Sequence, residues 1–174
     1  MNISDAIKQS INGDEYYSPQ NVVDMIVPYI LRGGYKSVWC PFDKPESNFV
    51  KTFQKCGLEV VYGHIETGQD FFDYTNPQAE ILVSNPPYSK RGQIFERLYE
   101  WDIPFALVMN FNGLFDSKKR VDTFKKHTVE LLIPRGRMKF NHRDKGILNS
   151  PNFQSIYVCN HLLNKQIVFD ETTF

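Results

Sequence analysis

Short apolar runs alternate with amphipathic stretches through the first two-thirds of the chain. The apolar runs that we predict to be strands are Ser37–Cys40, residues 58–62, Ile81–Ser84 and residues 105–109. Apolar strands that are separated by helices form a parallel sheet with both faces covered. The pattern therefore predicts an α/β fold, in which ligands bind where the carboxyl ends of the strands meet.

The intervening stretches have the spacing of helices. The first has an apolar face over residues 22–30, with Ser18 as the predicted N-cap and Pro19 as the first helical residue, where its missing N–H costs nothing. The second predicted helix spans residues 47–56, and the third lies around residues 94–101.

The pattern changes after Lys126. Residues 129–133, 137–140 and 153–159 are strand-like segments joined by turn residues, which predicts antiparallel strands that complete the sheet. The chain has no internal repeat, low-complexity segment or Gly/Ser/Pro linker. We therefore expect residues 1–174 to form a single domain with no large recognition domain.

The composition is that of an ordinary globular protein, with 41% hydrophobic and 23% charged residues. No apolar run of 18 residues and no basic-then-apolar leader occurs, so we expect a cytoplasmic protein without a membrane span or secretory signal. The cysteines, Cys40, Cys56 and Cys159, are widely spaced and odd in number, and the histidines lack ligand-like spacing. Neither disulfides nor a metal site is predicted.

Charge is unevenly distributed, although the formal net charge is zero. Residues 115–145 contain ten Lys and Arg residues against four Asp and Glu residues, a net charge of +6. Such asymmetry indicates a surface for a polyanion, and a solvated helix face is the alternative. The candidate nucleic-acid contacts are Lys118, Lys119, Arg120, Arg135, Arg137, Lys139 and Arg143.

The most informative motif is Ser84-Asn85-Pro86-Pro87-Tyr88, at the end of the predicted strand Ile81–Ser84. Two consecutive prolines cannot continue a hydrogen-bonded strand, so the strand ends here in a rigid loop at the carboxyl edge of the sheet. Asn-Pro-Pro-aromatic would occur by chance in about one in a thousand chains of this length. A proline-stiffened turn alone does not explain the flanking asparagine and tyrosine.

This motif resembles the catalytic loop, Asp/Asn/Ser-Pro-Pro-aromatic, of the S-adenosylmethionine-dependent adenine-specific DNA methyltransferases. Small phage-encoded and mobile-element members are the most similar. Tyr17-Ser18-Pro19 resembles the family's N-terminal Thr-Pro element, Pro41-Phe42 the core of its Asp-Pro-Phe-x-Gly cofactor loop, and Asp70-Phe71-Phe72 its acidic-aromatic element. The resemblance spans roughly residues 15–158. It implies a Rossmann-like class I methyltransferase fold, with a mostly parallel sheet and an antiparallel C-terminal strand pair.

The resemblance also implies roles for the motif residues. The side-chain oxygen of Asn85 and the carbonyl of Pro86 would accept the two hydrogens of an adenine amino group and aim its lone pair at the sulfonium methyl. Tyr88 would stack on the base, which must leave the duplex to reach the loop. The catalytic residues so implied are Asn85, Pro86, Pro87 and Tyr88.

The implied cofactor is S-adenosylmethionine. The residues assigned to it are Tyr17, Ser18, Pro19, Cys40, Pro41, Phe42, Asp43, His64, Asp70 and Phe71. The cofactor loop departs from the family because residues 40–46 lack the leading Asp and the glycines, and His64 stands near the position of the usual ribose-binding acid. Asp43 and Asp70 are the acids that can compensate.

The sequence thus predicts a methyltransferase that acts on the adenine amino group in DNA, with the basic region 115–145 contacting phosphates. One alternative is a methyltransferase of RNA or of protein glutamine, because the Asn-Pro-Pro-Tyr loop also serves such enzymes. The other is a catalytically silent relative that binds nucleic acid or a partner protein, which the missing glycines suggest.

Overall fold

The structure, a computed structural model, describes residues 16–142, 146–147 and 154–174. The helices are α1 (Gln20–Arg32), α2 (Asn48–Lys55), α3 (Arg91–Trp101) and α4 (Lys118–Lys126). The strands are β1 (Tyr16–Tyr17), β2 (Ser37–Cys40), β3 (Glu59–Tyr62), β4 (Ile81–Ser84), β5 (Phe105–Asn110), β6 (Glu130–Arg135), β7 (Asn141–His142), β8 (Gly146–Ile147), β9 (Ser155–Asn160) and β10 (Ile167–Thr173). None of the helices in this described part of the chain has the length and apolar character that a membrane crossing requires.

Seven strands form the main sheet in the order β10-β6-β9-β5-β4-β2-β3. Neighbouring strands are parallel except β9, which is antiparallel to both β5 and β6. The six parallel strands therefore end at one edge, which we call the carboxyl edge. This arrangement confirms the predicted α/β fold with a mostly parallel sheet and an antiparallel strand near the C-terminus.

The two faces of the sheet are buried against different helices. Alternate strand residues such as Val38 and Val83 join α1 and α2 in one apolar cluster. Their neighbours, such as Trp39 and Leu82, face α3 and α4 in a second cluster. Because side chains in a strand alternate between faces, short apolar strands fill both layers. The sheet is thus the middle layer of three, and the edges remain for loops.

Local chemistry explains where several elements begin and end. Ser47 caps α2, since its hydroxyl accepts from the N–H of Val50 at 3.2 Å. Strand β4 ends at Ser84 because Pro86 and Pro87 have no N–H to offer a neighbouring strand.

The first predicted cap was wrong. Helix α1 begins at Gln20, Pro19 occupies the N-cap position, and the Ser18 side chain does not cap the helix. The carbonyl of Pro19 accepts from the N–H of Val22 at 3.1 Å, so the helix starts one residue later than predicted. The Ser18 hydroxyl makes a different contact, described below.

The C-terminal third also differs from the prediction. Residues 137–140 are not a strand, although Met138 and Phe140 are buried and Arg137 and Lys139 are exposed. Gly136 has a φ of 106°, a turn conformation that ends β6 before this extended segment. Strand β10 was not predicted, nor was α4. Phe153, in the predicted segment 153–159, lies outside the described residues.

A small second sheet joins the first described residues to the segment that follows β6. Strand β1 pairs with β7, with Tyr16 opposite His142 and Tyr17 opposite Asn141, and β7 pairs with β8. This pairing positions the backbone that directly precedes Ser18.

Candidate functional site

A cavity of about 270 Å³ lies at the carboxyl edge of the sheet. Its walls come from the residues that follow β2, β3 and β4, together with Ser18 and the start of α2. The residues that the sequence assigned to a site and that line this cavity are Ser18, Pro41, Phe42, Asp43, His64, Asp70, Phe71, Asn85 and Pro87. The fold therefore brings together segments that are far apart in the sequence.

The loop after β4 contributes Asn85, which is half-buried, and Pro87 to the cavity wall. Pro86 between them is buried and is not part of the wall. Tyr88 begins a 3-10 turn over Tyr88–Lys90, and its half-buried ring packs against the second apolar cluster. The ring thus lies outside the cavity wall, because the turn directs it toward the face of the sheet that α3 covers.

Ser18 connects this loop to helix α2. The Nδ2 of Asn85 donates to the Oγ of Ser18 at 3.2 Å, and the Nδ2 of Asn48 donates to the Ser18 carbonyl at 3.0 Å. An amide presents its oxygen on the side opposite its nitrogen, so the first bond fixes the orientation of Oδ1. Asn85 and Asn48 both line the cavity.

The loop after β2 places a buried carboxylate in the cavity wall. The hydroxyl of Ser84 donates to Oδ2 of Asp43, and the Ser47 hydroxyl also contacts this carboxyl. Burial raises the pKa of Asp43 to about 6, although the hydrogen bonds from Ser84 and Ser47 oppose the shift. The site thus holds an acid that titrates close to neutral pH.

Backbone hydrogen bonds tie this loop to the one after β3. The N–H of Asp43 donates to the Gly63 carbonyl at 2.9 Å, and the N–H of Gly63 donates to the Cys40 carbonyl at 3.2 Å. The side chain of Cys40 is fully buried in the first apolar cluster, which raises the pKa of its thiol. Cys40 therefore supports the loop from the core and does not line the cavity.

The loop after β3 supplies His64 and Asp70. The Nδ1 of His64 accepts from the N–H of Glu66 at 3.2 Å, so the ring proton of the neutral form is on Nε2. The Oδ1 of Asp70 accepts from the N–H of Phe72 at 2.9 Å and caps a 3-10 turn. An ion pair between Lys44 and Glu66 joins this loop to the one after β2.

Aromatic rings form part of the wall. The ring centroids of Phe42 and Phe71 are 5.0 Å apart, and those of Phe71 and Phe72 are 5.2 Å apart. The Nζ of Lys90 lies 5.2 Å from the centroid of Phe72. Planar apolar faces next to carboxylates suit a ligand that combines a flat ring with cationic or hydroxyl groups.

The sequence missed about half of the lining residues. They are Lys44, Glu46, Ser47, Asn48, Phe49, Ile65, Gln69, Phe72, Ser89 and Lys90. Four of them, Lys44, Ile65, Phe72 and Ser89, follow directly after an assigned residue in the same loop, which is the signal that could have identified them.

The remaining cofactor assignments lie beside the cavity. Tyr17 is part of β1, where its backbone pairs with β7, and Pro19 starts α1 with its carbonyl. Pro19 does not line the cavity. Among the residues that the structure describes, no three His, Cys, Asp or Glu side chains could hold a metal ion together.

The basic candidates on α4 have different surroundings. Lys118 is exposed, and Lys119 pairs with Glu96 at 2.7 Å. Arg120 is half-buried, with Nε donating to the Leu114 carbonyl and Nη2 to the Gly113 carbonyl, both at 2.6 Å. The guanidinium of Arg120 thus binds backbone oxygens and stabilises the loop after β5.

The basic candidates at the end of β6 and after it are more exposed. Arg135 is exposed and lies 3.8 Å from Glu171, while Arg137 and Lys139 are exposed beside the buried Met138. Since β6 is parallel to β4, these residues follow the same carboxyl edge as Asn85. Arg143 lies outside the described residues.

No protein-family model matches the chain, and no curated protein is significantly similar to it. Among solved structures, the chain is similar to a modification subunit of a putative type I restriction enzyme from Vibrio vulnificus YJ016. The TM-score is 0.52 and the sequence identity 10%; the match covers 87% of this chain and 46% of that chain. This chain thus spans less than half of that protein, and at such identity the similarity is one of fold.

Proposed function

We propose that the chain is an S-adenosylmethionine-dependent methyltransferase that modifies the exocyclic amino group of adenine in DNA. The observation that carries the proposal is the meeting of Asn85 with Asp43 and Asp70 in one cavity at the carboxyl edge. These residues come from three separate loops, and ligands of open α/β sheets bind at this edge. The motif resemblance assigns them to one reaction.

The chemistry of the cavity wall fits the cofactor. The rings of Phe42 and Phe72 offer faces for an adenine base, and Asp70 offers a carboxylate for its amine or for hydroxyls. Asp43 offers a carboxylate for the cationic portion. When bound, the cofactor supplies an electrophilic methyl group. The volume of about 270 Å³ is near the lower end of small-molecule sites.

Asn85 is the residue proposed to hold the target amine. Its Nδ2 donates to the Ser18 hydroxyl at 3.2 Å, which orients the amide, and its Oδ1 would accept a hydrogen from the substrate amine. An acceptor at the amino group makes its lone pair more available for the methyl group.

DNA as the substrate rests on two further observations. The chain shares its fold with the modification subunit of a restriction enzyme. Arg137 and Lys139 are exposed on the carboxyl edge, where a polyanion entering the site would pass.

The test is incubation with methyl-labelled S-adenosylmethionine and, separately, duplex DNA, RNA and a protein extract. We expect label in DNA, released as methylated adenine on digestion, and none with Asn85→Ala. Label confined to RNA or protein would replace DNA as the substrate. Cofactor binding without transfer, or no binding at all, would overturn the enzymatic proposal in favour of a silent relative.

A further inference from the structure

Two phenylalanine rings are exposed on the loop that follows β5. Phe111 is 41% exposed and Phe115 43% exposed, and their ring centroids are 6.1 Å apart in an edge-to-face arrangement. The ring of Phe115 also contacts Phe124 of α4 at 5.8 Å. The two rings form a small apolar surface, which we call the aromatic pair.

The backbone between the two rings is held by guanidinium groups. Arg91 donates from Nη2 to the Gly113 carbonyl at 2.7 Å, and Arg120 donates to the carbonyls of Gly113 and Leu114. Leu114 is fully buried, which anchors the centre of the loop. This anchored loop presents both rings at the surface.

The aromatic pair lies beside the Asn85 loop and extends beyond it. Ser84 of β4 is opposite Leu107 of β5, and β5 continues to Asn110. The three further strand residues carry the end of β5 about 10 Å past the end of β4, and Phe111 follows directly after it. Arg91, which holds the loop, follows directly after Lys90 of the cavity wall. A macromolecule that reaches Asn85 would therefore meet the two rings.

The surroundings of the aromatic pair are positively charged. The exposed residues of α4 and of the segment before it include four lysines, Lys118, Lys119, Lys125 and Lys126, against two acids, Asp116 and Asp122, and Lys119 is paired with Glu96. Flat rings next to lysines match a single-stranded or distorted nucleic acid, whose bases stack on aromatic rings while its phosphates contact cations.

We propose that the aromatic pair stacks on unpaired bases of the DNA next to the target adenine. This inference rests on the proposed function, because a base that leaves the duplex to reach Asn85 exposes the faces of its neighbours. Stacking needs only a π-face, so the aromatic pair contributes affinity without selecting a sequence.

The test compares the parent with Phe111→Ala/Phe115→Ala on a short mixed-sequence DNA strand and on an abasic strand of the same length. We expect about tenfold weaker binding to the strand with bases and an unchanged salt slope. On the abasic strand the two proteins should bind equally. Phe169→Ala is the matched control, since this ring is 75% exposed on the edge strand β10. Circular dichroism verifies that each variant is folded.

Equal binding of the parent and the double variant to the strand with bases would overturn the inference. An equal loss on both strands would also overturn it, because the effect would then not involve bases. The proposed function fails separately: a parent that binds bases through the aromatic pair but transfers no methyl group would retain the stacking surface and lose the enzymatic assignment.

Discussion

Asn85 donates a hydrogen bond to the hydroxyl of Ser18 across 3.2 Å, although the two residues are 67 positions apart in the sequence. Asn48 holds the carbonyl of the same serine at 3.0 Å. The orientation of the candidate catalytic amide is therefore set by a residue from the N-terminal segment and supported by a residue of α2.

Replacing Asn85 by Ala should reduce methyl transfer at least about 100-fold, since an oriented acceptor at the target amine is lost. Cofactor affinity should remain close to that of the parent, because Asn85 is assigned to the amine and not to S-adenosylmethionine. Single-turnover transfer and calorimetry measure the two effects. An equal loss of cofactor affinity would contradict this assignment.

Ser18→Ala provides the companion to that experiment. It leaves Asn85 in place but removes the hydroxyl that orients it, so we expect a smaller loss of turnover, about tenfold. Ser18→Thr retains a hydroxyl and should restore most of the activity. Equal rates for the Ala and Thr variants would show that the hydroxyl does not orient the amide.

Tyr88→Phe should be tolerated, whereas Tyr88→Ala should lose stability and, through it, activity. The half-buried ring packs against the second apolar cluster, so its removal should lower the free energy of unfolding by about 2 kcal/mol. Urea denaturation and transfer rates measure the two effects. A severe defect in the Phe variant would instead assign a role to the hydroxyl group.

Asp43 should make stability depend on pH. Its folded pKa is about 6 and its ordinary value is 3.8, so between these values the folded protein binds the proton more tightly than the unfolded chain. The free energy of unfolding should therefore fall as the pH rises from about 4 to 6, and then level off. At neutral pH the charged, buried carboxylate is a net cost of up to about 3 kcal/mol.

Asp43→Asn tests this directly, because Asn keeps an acceptor for the Ser84 hydroxyl but cannot ionise. In urea denaturation, the free energy of unfolding of the variant should increase relative to that of the parent as the pH rises from 4.5 to 7.5. Asp73→Asn, at an exposed carboxyl, is the control and should follow the parent. Parallel pH profiles for the parent and Asp43→Asn would refute the prediction.

Arg137→Ala/Lys139→Ala should weaken DNA binding and flatten its salt dependence by about 1.8 in the logarithmic slope if each residue contacts one phosphate. All sequences should be weakened alike, since phosphates carry no sequence information. S-adenosylmethionine binding should not change.

Lys55→Ala/Lys165→Ala is the matched control for charge. It removes two exposed cations from the opposite edge of the sheet, where α2 ends and β10 begins. If both double variants flatten the salt dependence of DNA binding equally, the basic segment after β6 has no special role in DNA binding.

Arg120→Ala should be destabilising, in contrast to Lys118→Ala. Arg120 loses its bonds to the carbonyls of Leu114 and Gly113, which should lower the free energy of unfolding by about 2 kcal/mol. The exposed Lys118 should change stability by less than about 0.5 kcal/mol. Thermal unfolding compares the two. Equal melting temperatures would return Arg120 to the group of candidate phosphate contacts.

The strands that carry the site were predictable from the sequence because their ends are marked by strong local signals. Strand β4 has four buried residues and stops at two prolines, and β2 matches its predicted bounds. Strand β10 was missed because it is an edge strand whose side chains alternate between exposed and half-buried, with Phe169 open to solvent. Its sequence has neither a long apolar run nor a regular alternation of apolar and polar residues, which are the signals that identify a strand.

The site was less predictable, because motif spacing does not specify side-chain direction. Asn85 and Tyr88 belong to one motif, but a 3-10 turn sends the tyrosine ring to the apolar layer while Asn85 faces the cavity. Likewise, nothing in the sequence distinguishes Arg120 from the neighbouring lysines, Lys118 and Lys119. Its role depends on where the carbonyls of a distant loop lie.

Two hydrogen bonds connect the loops that form the cavity. The one from Ser84 to Asp43 joins the end of β4 to the loop after β2, and the one from Asp43 to Gly63 joins that loop to the one after β3. The cavity is therefore preorganised, and a molecule entering it would immobilise few additional backbone torsions. Because little conformational entropy is then lost on association, contacts that the wall makes with a ligand translate more fully into affinity. Hydrogen exchange in these three loops should accordingly be slow in the free protein and change little when the cavity is filled.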